Sequence, residues 1–340
     1  MTARENDAAA MLRVTQGKDM TDDWSLLHRS KFDLDTAVLF AELSALAYLS
    51  PAETKAGLLA RGFDTCATFD AADVQGYWCS RADVALLAFR GTSNPGQWLR
   101  DVRFFPVGHP WGHVHTGFRD GVAAVESALA AFDNVAKKAA NVWMIGHSLG
   151  GALALLAAAR LKIKTGRAAA LHTYGQPAVG LNDFAERCNV ELAGTVWRFV
   201  NQSDIVARVP PAPLYRHVGA DKRIVRPGVL ASMGGLTAAP LSPTLEHAVA
   251  TQQVIAGGAA LEAARAATDS GIEQPLLTDL GPQQMSDTEF ARLQLALNAG
   301  TPTDIQTMGL ESLFPWFSDH AITEYIRLLT DIRKQSSAAG

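Results

Sequence analysis

Cysteine is scarce. Cys66, Cys79 and Cys188 are the only three in 340 residues, too few for a disulfide scaffold. Cys66 and Cys79 bracket a predicted hairpin, so a bond between them after export stays open beside the plainer reading of reduced thiols. Long apolar runs are missing too: none approaches the roughly 20 residues of a membrane-spanning helix. Charge is sparse and nearly balanced, with 19% charged residues and a net charge of −4. No basic stripe suits a phosphate backbone, which argues against nucleic acid as a partner. The first stretch, "MTARENDAAAMLRVTQGKDMTDDW", lacks the apolar core of a secretory signal. The expectation is a soluble cytoplasmic protein without metal or cofactor. Apolar residues, by contrast, are plentiful at 48%, enough for a sizeable core.

That apolar content is arranged as alternating strands and helices. "LDTAVLFAELSALAYL" (34–49) has helical spacing, and Ser50-Pro51 marks its end. "CATF" (66–69), "VQGYWCS" (74–80) and "VALLAFRG" (84–91) read as strands, the last a continuous run of the kind buried in a parallel sheet. A helix over 117–139 follows, with Val122, Val125, Leu129 and Phe132 on one side. Then come strand 141–146, helix 151–163, strand 169–175, helix 181–188 and strand 195–201. This order predicts an α/β fold, a mostly parallel central sheet with helices on both faces, built by right-handed crossovers. Sites in such sheets form beyond the carboxyl ends of the strands. Thr92, Ser148, Gln176 and Asp204 each fall just after a predicted strand.

Beyond about residue 225 the chain turns Ala- and Gly-rich. A helix is expected near Ser242-Pro243, and Ser286 with Glu289 reads as a capping box, with a stop at Gly300. No strand pattern is visible, so 228–315 reads as a helical insertion, a cap within one domain spanning 1–340. The last helix is firmer, with Ile322, Tyr325, Ile326, Leu329 and Ile332 at spacings of three and four after Ser318-Asp319.

The stretch "MIGHSLGGALALLAAAR" (144–160) carries G-x-S-x-G: Gly146, Ser148 and Gly150. A strand that turns directly into a helix strains the corner residue and tolerates only small neighbours two positions away. In exchange a serine hydroxyl stands at a helix N-terminus, where free N–H groups favour negative charge. Such a serine needs a base and an orienting carboxylate, in the chain order Ser, Asp or Glu, His. Asp204 in "RFVNQSDIVARVPP" fits that order, although an aspartate there also suits a local turn.

Nine histidines compete as base. His147 adjoins the serine and should point away from it; His28, His109, His113, His115 and His172 fit the order badly; His217 looks like part of a strand. His320, at the junction "SDHAITEY", is the candidate, with His247 inside the insertion as the alternative. Oxyanion donors are expected from the backbone of Leu149 and from Thr92 in "AFRGTSNPGQW", whose plainer role is a local turn.

These pieces, taken with "HTGF" (115–118), "YGQPAVG" (174–180) and "YRHVG" (215–219), resemble the class 3 lipase family, the fungal-type lipases and their bacterial relatives. The matches run in order over most of 75–220 plus the last helix. The resemblance implies the α/β-hydrolase fold, with Ser148 as nucleophile, Asp204 as orienting acid, His320 as base, and Thr92 and Leu149 as oxyanion donors. It also implies a lid over 93–105, with Trp98, Val102 and Phe105 on one apolar face, where a fixed core helix is the alternative. Phe314, Trp316 and Phe317 in "LFPWF" would line the same mouth. The implied activity is hydrolysis of acylglycerol or simpler esters, with transient contact to a lipid interface. A phospholipase A1, a short-chain esterase and a non-catalytic module of the same fold are the alternatives.

Overall fold

The computed structural model describes residues 24–28, 32–225 except 96, 97, 100, 101, 202, 203, 212 and 213, then 275–278 and 320–338. Among these, α1 (Leu34–Leu46) opens on Asp33, whose side chain accepts the Thr36 N–H at 3.1 Å. Every residue of α1 from Thr36 onward is buried, as expected of a helix apolar on all sides. Ser50 ends that run and also starts another. It caps α2 (Pro51–Ala60) in a capping box with Glu53, a helix the sequence pattern did not announce.

The main sheet has eight strands in the order β1 (Thr65–Ala71), β2 (Val74–Arg81), β3 (Val84–Phe89), β6 (Asn141–His147), β7 (Ala170–Tyr174), β9 (Val196–Asn201), β11 (Ala220–Val225) and β12 (Leu276–Thr278). From β3 to β11 all neighbours are parallel; β1, β2 and β12 pair antiparallel. The mostly parallel sheet is as expected. β12 corrects the reading of 228–315 as purely helical: its three residues pair with Arg223–Val225, too short a run to leave a period-two pattern. The rest of that insertion, including His247, lies outside the described residues, as do Phe314, Trp316 and Phe317.

A second sheet, antiparallel and without a period in the sequence to announce it, is formed by β4 (Pro106–His109), β5 (Gly112–His115), β8 (Gly180–Leu181) and β10 (Tyr215–Arg216). Its strands are two to four residues long. His217 lies just past β10, outside any strand.

Two apolar cores flank the main sheet. Successive side chains of a strand point to opposite faces. Val142 and Met144 therefore join one core, and Trp143 and Ile145 the other. The first face is covered by α3 (Thr116–Ala124), α4 (Glu126–Ala136), α5 (Leu149–Thr165) and α6 (Asn182–Glu191); the second by α1, α2 and α7 (Ile322–Ala338). The helix expected over 117–139 is broken at Val125, yet Val122, Val125, Leu129 and Phe132 are all buried in one core. Gly, Ala and Leu let α5 lie close to the strands, buried from Gly150 to Ala159.

Candidate active site

β6 ends where Ser148 takes φ 59° and ψ −131°, a conformation that costs a serine energy and must be held by its surroundings. The Ser148 N–H donates to the Tyr174 carbonyl at 2.8 Å, and α5 begins at the next residue. A β-carbon on Gly146 would collide with the Gly150 backbone, and one on Gly150 with the Phe89 carbonyl. The corner therefore closes only with glycine at both places. Ser148 is 1% exposed, and its hydroxyl has no hydrogen-bond partner among the described residues.

Asp204 follows β9 and is fully buried. Its Oδ1 accepts the backbone N–H groups of Val206 (2.9 Å) and Ala207 (3.3 Å). This is the local turn held open in the sequence, and it leaves the carboxylate free to do more. His320 Nδ1 lies 2.9 Å from both carboxylate oxygens. A carboxylate only accepts, so Nδ1 carries the proton of this bond, and in the neutral imidazole Nε2 is then the acceptor. His320 Nε2 is buried with no hydrogen-bond partner among the described residues. Of the two candidate bases, His320 is the one the described structure brings to Asp204.

Tyr325, in the first turn of α7, is more than the core residue its helical spacing predicts. Its hydroxyl accepts the Asn201 N–H at 2.8 Å and donates to Asp204 Oδ2 at 2.7 Å. Burial raises its pKa well above the usual phenol value, with the Asp204 charge adding to the effect, so the hydroxyl keeps its proton. Only its spacing after His320 could have drawn notice.

His147, adjoining the serine, packs against the candidate base. Its ring centroid lies 4.6 Å from that of His320. Its Nε2–H donates to the His320 carbonyl at 2.5 Å, and the Tyr48 hydroxyl donates to its Nδ1 at 2.7 Å. Burial, with the neighbouring His320 adding to it, holds His147 well below the usual imidazole pKa, and therefore neutral. Two hydrogen bonds thus run from Tyr48 through a neutral His147 to the backbone of His320.

Leu149 is the first residue of α5, where backbone N–H groups have no intrahelical acceptor. Thr92 stands in the loop after β3, and its hydroxyl accepts the Asn94 N–H at 3.2 Å, the local turn held open for it. Gln176 is buried after β7. All four residues expected beyond strand ends therefore lie at the carboxyl ends of parallel strands in one sheet.

The expected apolar face of 93–105 needs correcting. The segment is helical at Pro95 and at Trp98–Leu99, with Trp98 stacked on Phe118 (centroids 6.3 Å apart, 15° between planes) and Leu99 fully buried. Val102 is half-buried and already outside the helix. Phe105 is 64% exposed, and its carbonyl accepts the Thr116 backbone N–H (3.0 Å) and hydroxyl (2.7 Å). Trp98 and Phe105 thus belong to different surroundings. Among the described residues no group of three His, Cys, Asp or Glu could hold a metal, and no helix is long and apolar enough to cross a membrane.

Residues 86–214 match the family model described as lipase (class 3). A lipase of Rhizomucor miehei is 37% identical over 146 residues, covering 40% of this chain and 40% of that protein. Secreted mono- and diacylglycerol lipase 1 of Fusarium solani is 39% identical over 144 residues, 40% of this chain and 42% of that protein. The chain thus spans about 40% of the length of these curated relatives. A solved triacylglycerol lipase, described as having a serine protease triad as its catalytic centre, superposes with a TM-score of 0.51 at 27% identity over 58% of this chain and 82% of that one. The shared architecture is the α/β-hydrolase fold.

Proposed function

We propose, from the premise that this chain belongs to the class 3 lipase family through residues 86–214, that it is a serine hydrolase of carboxylic esters, acylglycerols first among them. The observation that carries the reading is the buried Asp204–His320 pair with both Nδ1–carboxylate distances at 2.9 Å, at the same sheet end as the strained Ser148 corner. In this reading His320 Nε2 takes the Ser148 proton as Oγ attacks the ester carbonyl. Asp204 holds the imidazole tautomer and stabilises the imidazolium. The backbone N–H groups of Leu149 and Thr92 receive the oxyanion. His320 then protonates the departing alcohol and later activates the water that frees the fatty acid.

With Ser148 1% and His320 2% exposed, a bulky ester reaches them in this proposal only after the site opens. Access in this proposal comes from movement of the 93–105 segment as a lid. Phe105 (64% exposed) and Leu214 (66% exposed), each next in sequence to one member of the Phe104–Tyr215 ring contact, are the apolar side chains this proposal turns to the lipid. Burying such side chains at a lipid surface is worth roughly 25 cal/mol per Å². Fatty-acid release from tributyrin emulsions, compared with phospholipid vesicles, tests the substrate. Faster release from tributyrin supports the acylglycerol reading. Release from vesicles alone would replace it with a phospholipase A1.

A further inference from the structure

Cys66 and Cys79 are not scattered thiols. β1 and β2 run antiparallel with Cys66 directly opposite Cys79. The loop between the strands, Ala72–Asp73, has positive φ at both residues (49° and 65°), the turn that closes a hairpin on a hydrogen-bonded pair. That closing pair is Ala71 and Val74, and hydrogen-bonded and non-hydrogen-bonded pairs alternate from it. Cys66 and Cys79, five positions back, form a non-hydrogen-bonded pair. Such pairs bring Cα atoms to about 4.5 Å, within the range of about 4.4–6.8 Å that a disulfide spans.

Side chains directly opposite in such a pair stand on the same face of the sheet with Cβ atoms about 4.5–5.5 Å apart, so the two thiols are neighbours. Cys79 is wholly buried and Cys66 half-buried, so a reagent meets Cys66 first. The contact with Cys79 lowers the Cys66 pKa, and Lys55 helps, whereas burial raises that of Cys79 well above its usual value. Cys188 sits on α6 in the core on the other face of the sheet, away from both.

We propose that Cys66 and Cys79 are a thiol-modification site at which a small-molecule disulfide such as oxidised glutathione installs a cross-strand bond. The Cys66 thiolate attacks one glutathione sulfur, the S–S bond breaks, and one glutathione leaves as thiolate and takes up a proton. The Cys79 thiol gives its proton to solvent and attacks Cys66 Sγ of the mixed disulfide, expelling the second glutathione. Two protein thiols are oxidised and one disulfide is reduced to two thiols, with no other reactant. β1 is the outer strand of the main sheet, so the bond would staple the hairpin at its edge.

The full chain is incubated with oxidised glutathione, and thiols are counted under denaturing conditions beside the intact mass. The expected result is a fall from three free thiols to one, loss of two hydrogens in mass, and a Cys66–Cys79 linked peptide. Dithiothreitol should reverse all three, and the oxidised protein should melt roughly 5 °C higher. Cys188→Ser should still close the pair. Three thiols remaining, a glutathione adduct left standing on Cys66, or a link through Cys188 would each overturn the proposal. None of these readouts depends on the hydrolytic reading.

Discussion

Replacing Gly175 by alanine adds one methyl group where the carboxylate and imidazole meet. Gly175 follows β7 with φ 60°. A β-carbon there would stand 2.5 Å from Asp204 Oδ2, 2.8 Å from His320 Nδ1 and 2.9 Å from His320 Cε1. Comfortable contact for a carbon needs about 3.5 Å, so some atom must yield by up to about 1 Å. Asp204 is poorly placed to retreat, since Val206, Ala207 and Tyr325 all donate to it. The imidazole must give way, or its bond to the carboxylate must lengthen. A displacement near 1 Å costs roughly 100-fold in rate, and the left-handed backbone adds roughly 1–2 kcal/mol of destabilisation. Steady-state hydrolysis of p-nitrophenyl butyrate should therefore show kcat of Gly175→Ala down about 100-fold with KM nearly unchanged. A melting curve should show a folded protein with a lower midpoint. Wild-type kcat in a folded Gly175→Ala protein would refute the assignment of Asp204 and His320 as a working pair.

Other perturbations probe the surroundings. Tyr325→Phe removes a donor to Asp204 and the acceptor of the Asn201 N–H; urea unfolding should show a loss of roughly 1–3 kcal/mol together with a lower kcat, and an unchanged midpoint would speak against it. His172 is caged by Phe40, Trp143, Trp197 and Phe199, and burial pushes its pKa down to about 3. The unfolded chain binds that proton first, so the stability is present above about pH 6.5 and lost as pH falls toward the folded pKa, at about 1.4 kcal/mol per pH unit for this one group. His172→Phe should flatten the fall between those limits, and an equally steep curve would contradict the cage. Phe105→Ser and Leu214→Ser replace exposed side chains, so both should keep the melting temperature while lowering the rate on emulsified tributyrin. An undiminished rate on the emulsion would remove these residues from the lipid-facing rim.

The parts most legible in the sequence were those with one dominant physical requirement. β3, β6, β7 and β9 are buried on both faces, so their apolar runs stand out. The Ser148 corner stands out because only glycine fits at positions 146 and 150. Asp204 and His320 were legible through chain order, although their contact spans 116 residues of sequence. The small second sheet stayed hidden because strands of two to four residues carry no period. Ser50 was read as a stop because the same serine and proline that end one helix also begin another. Trp98 and Phe105 were put on one face by helical spacing, but the chain leaves the helix before Phe105. Tyr325 and His147 act through partners remote in sequence, and nothing local marks a hydroxyl or imidazole for such a contact.

The central claim is that the tight corner after β6 exists to present a nucleophile. Labelling with a fluorophosphonate, followed by peptide mapping and paired with ester hydrolysis by Ser148→Ala, tests it most directly. The account predicts a single adduct on Ser148, and a Ser148→Ala protein with unchanged circular dichroism, no label, and a rate lower by several orders of magnitude. An adduct on another residue, or normal turnover by folded Ser148→Ala, would contradict it.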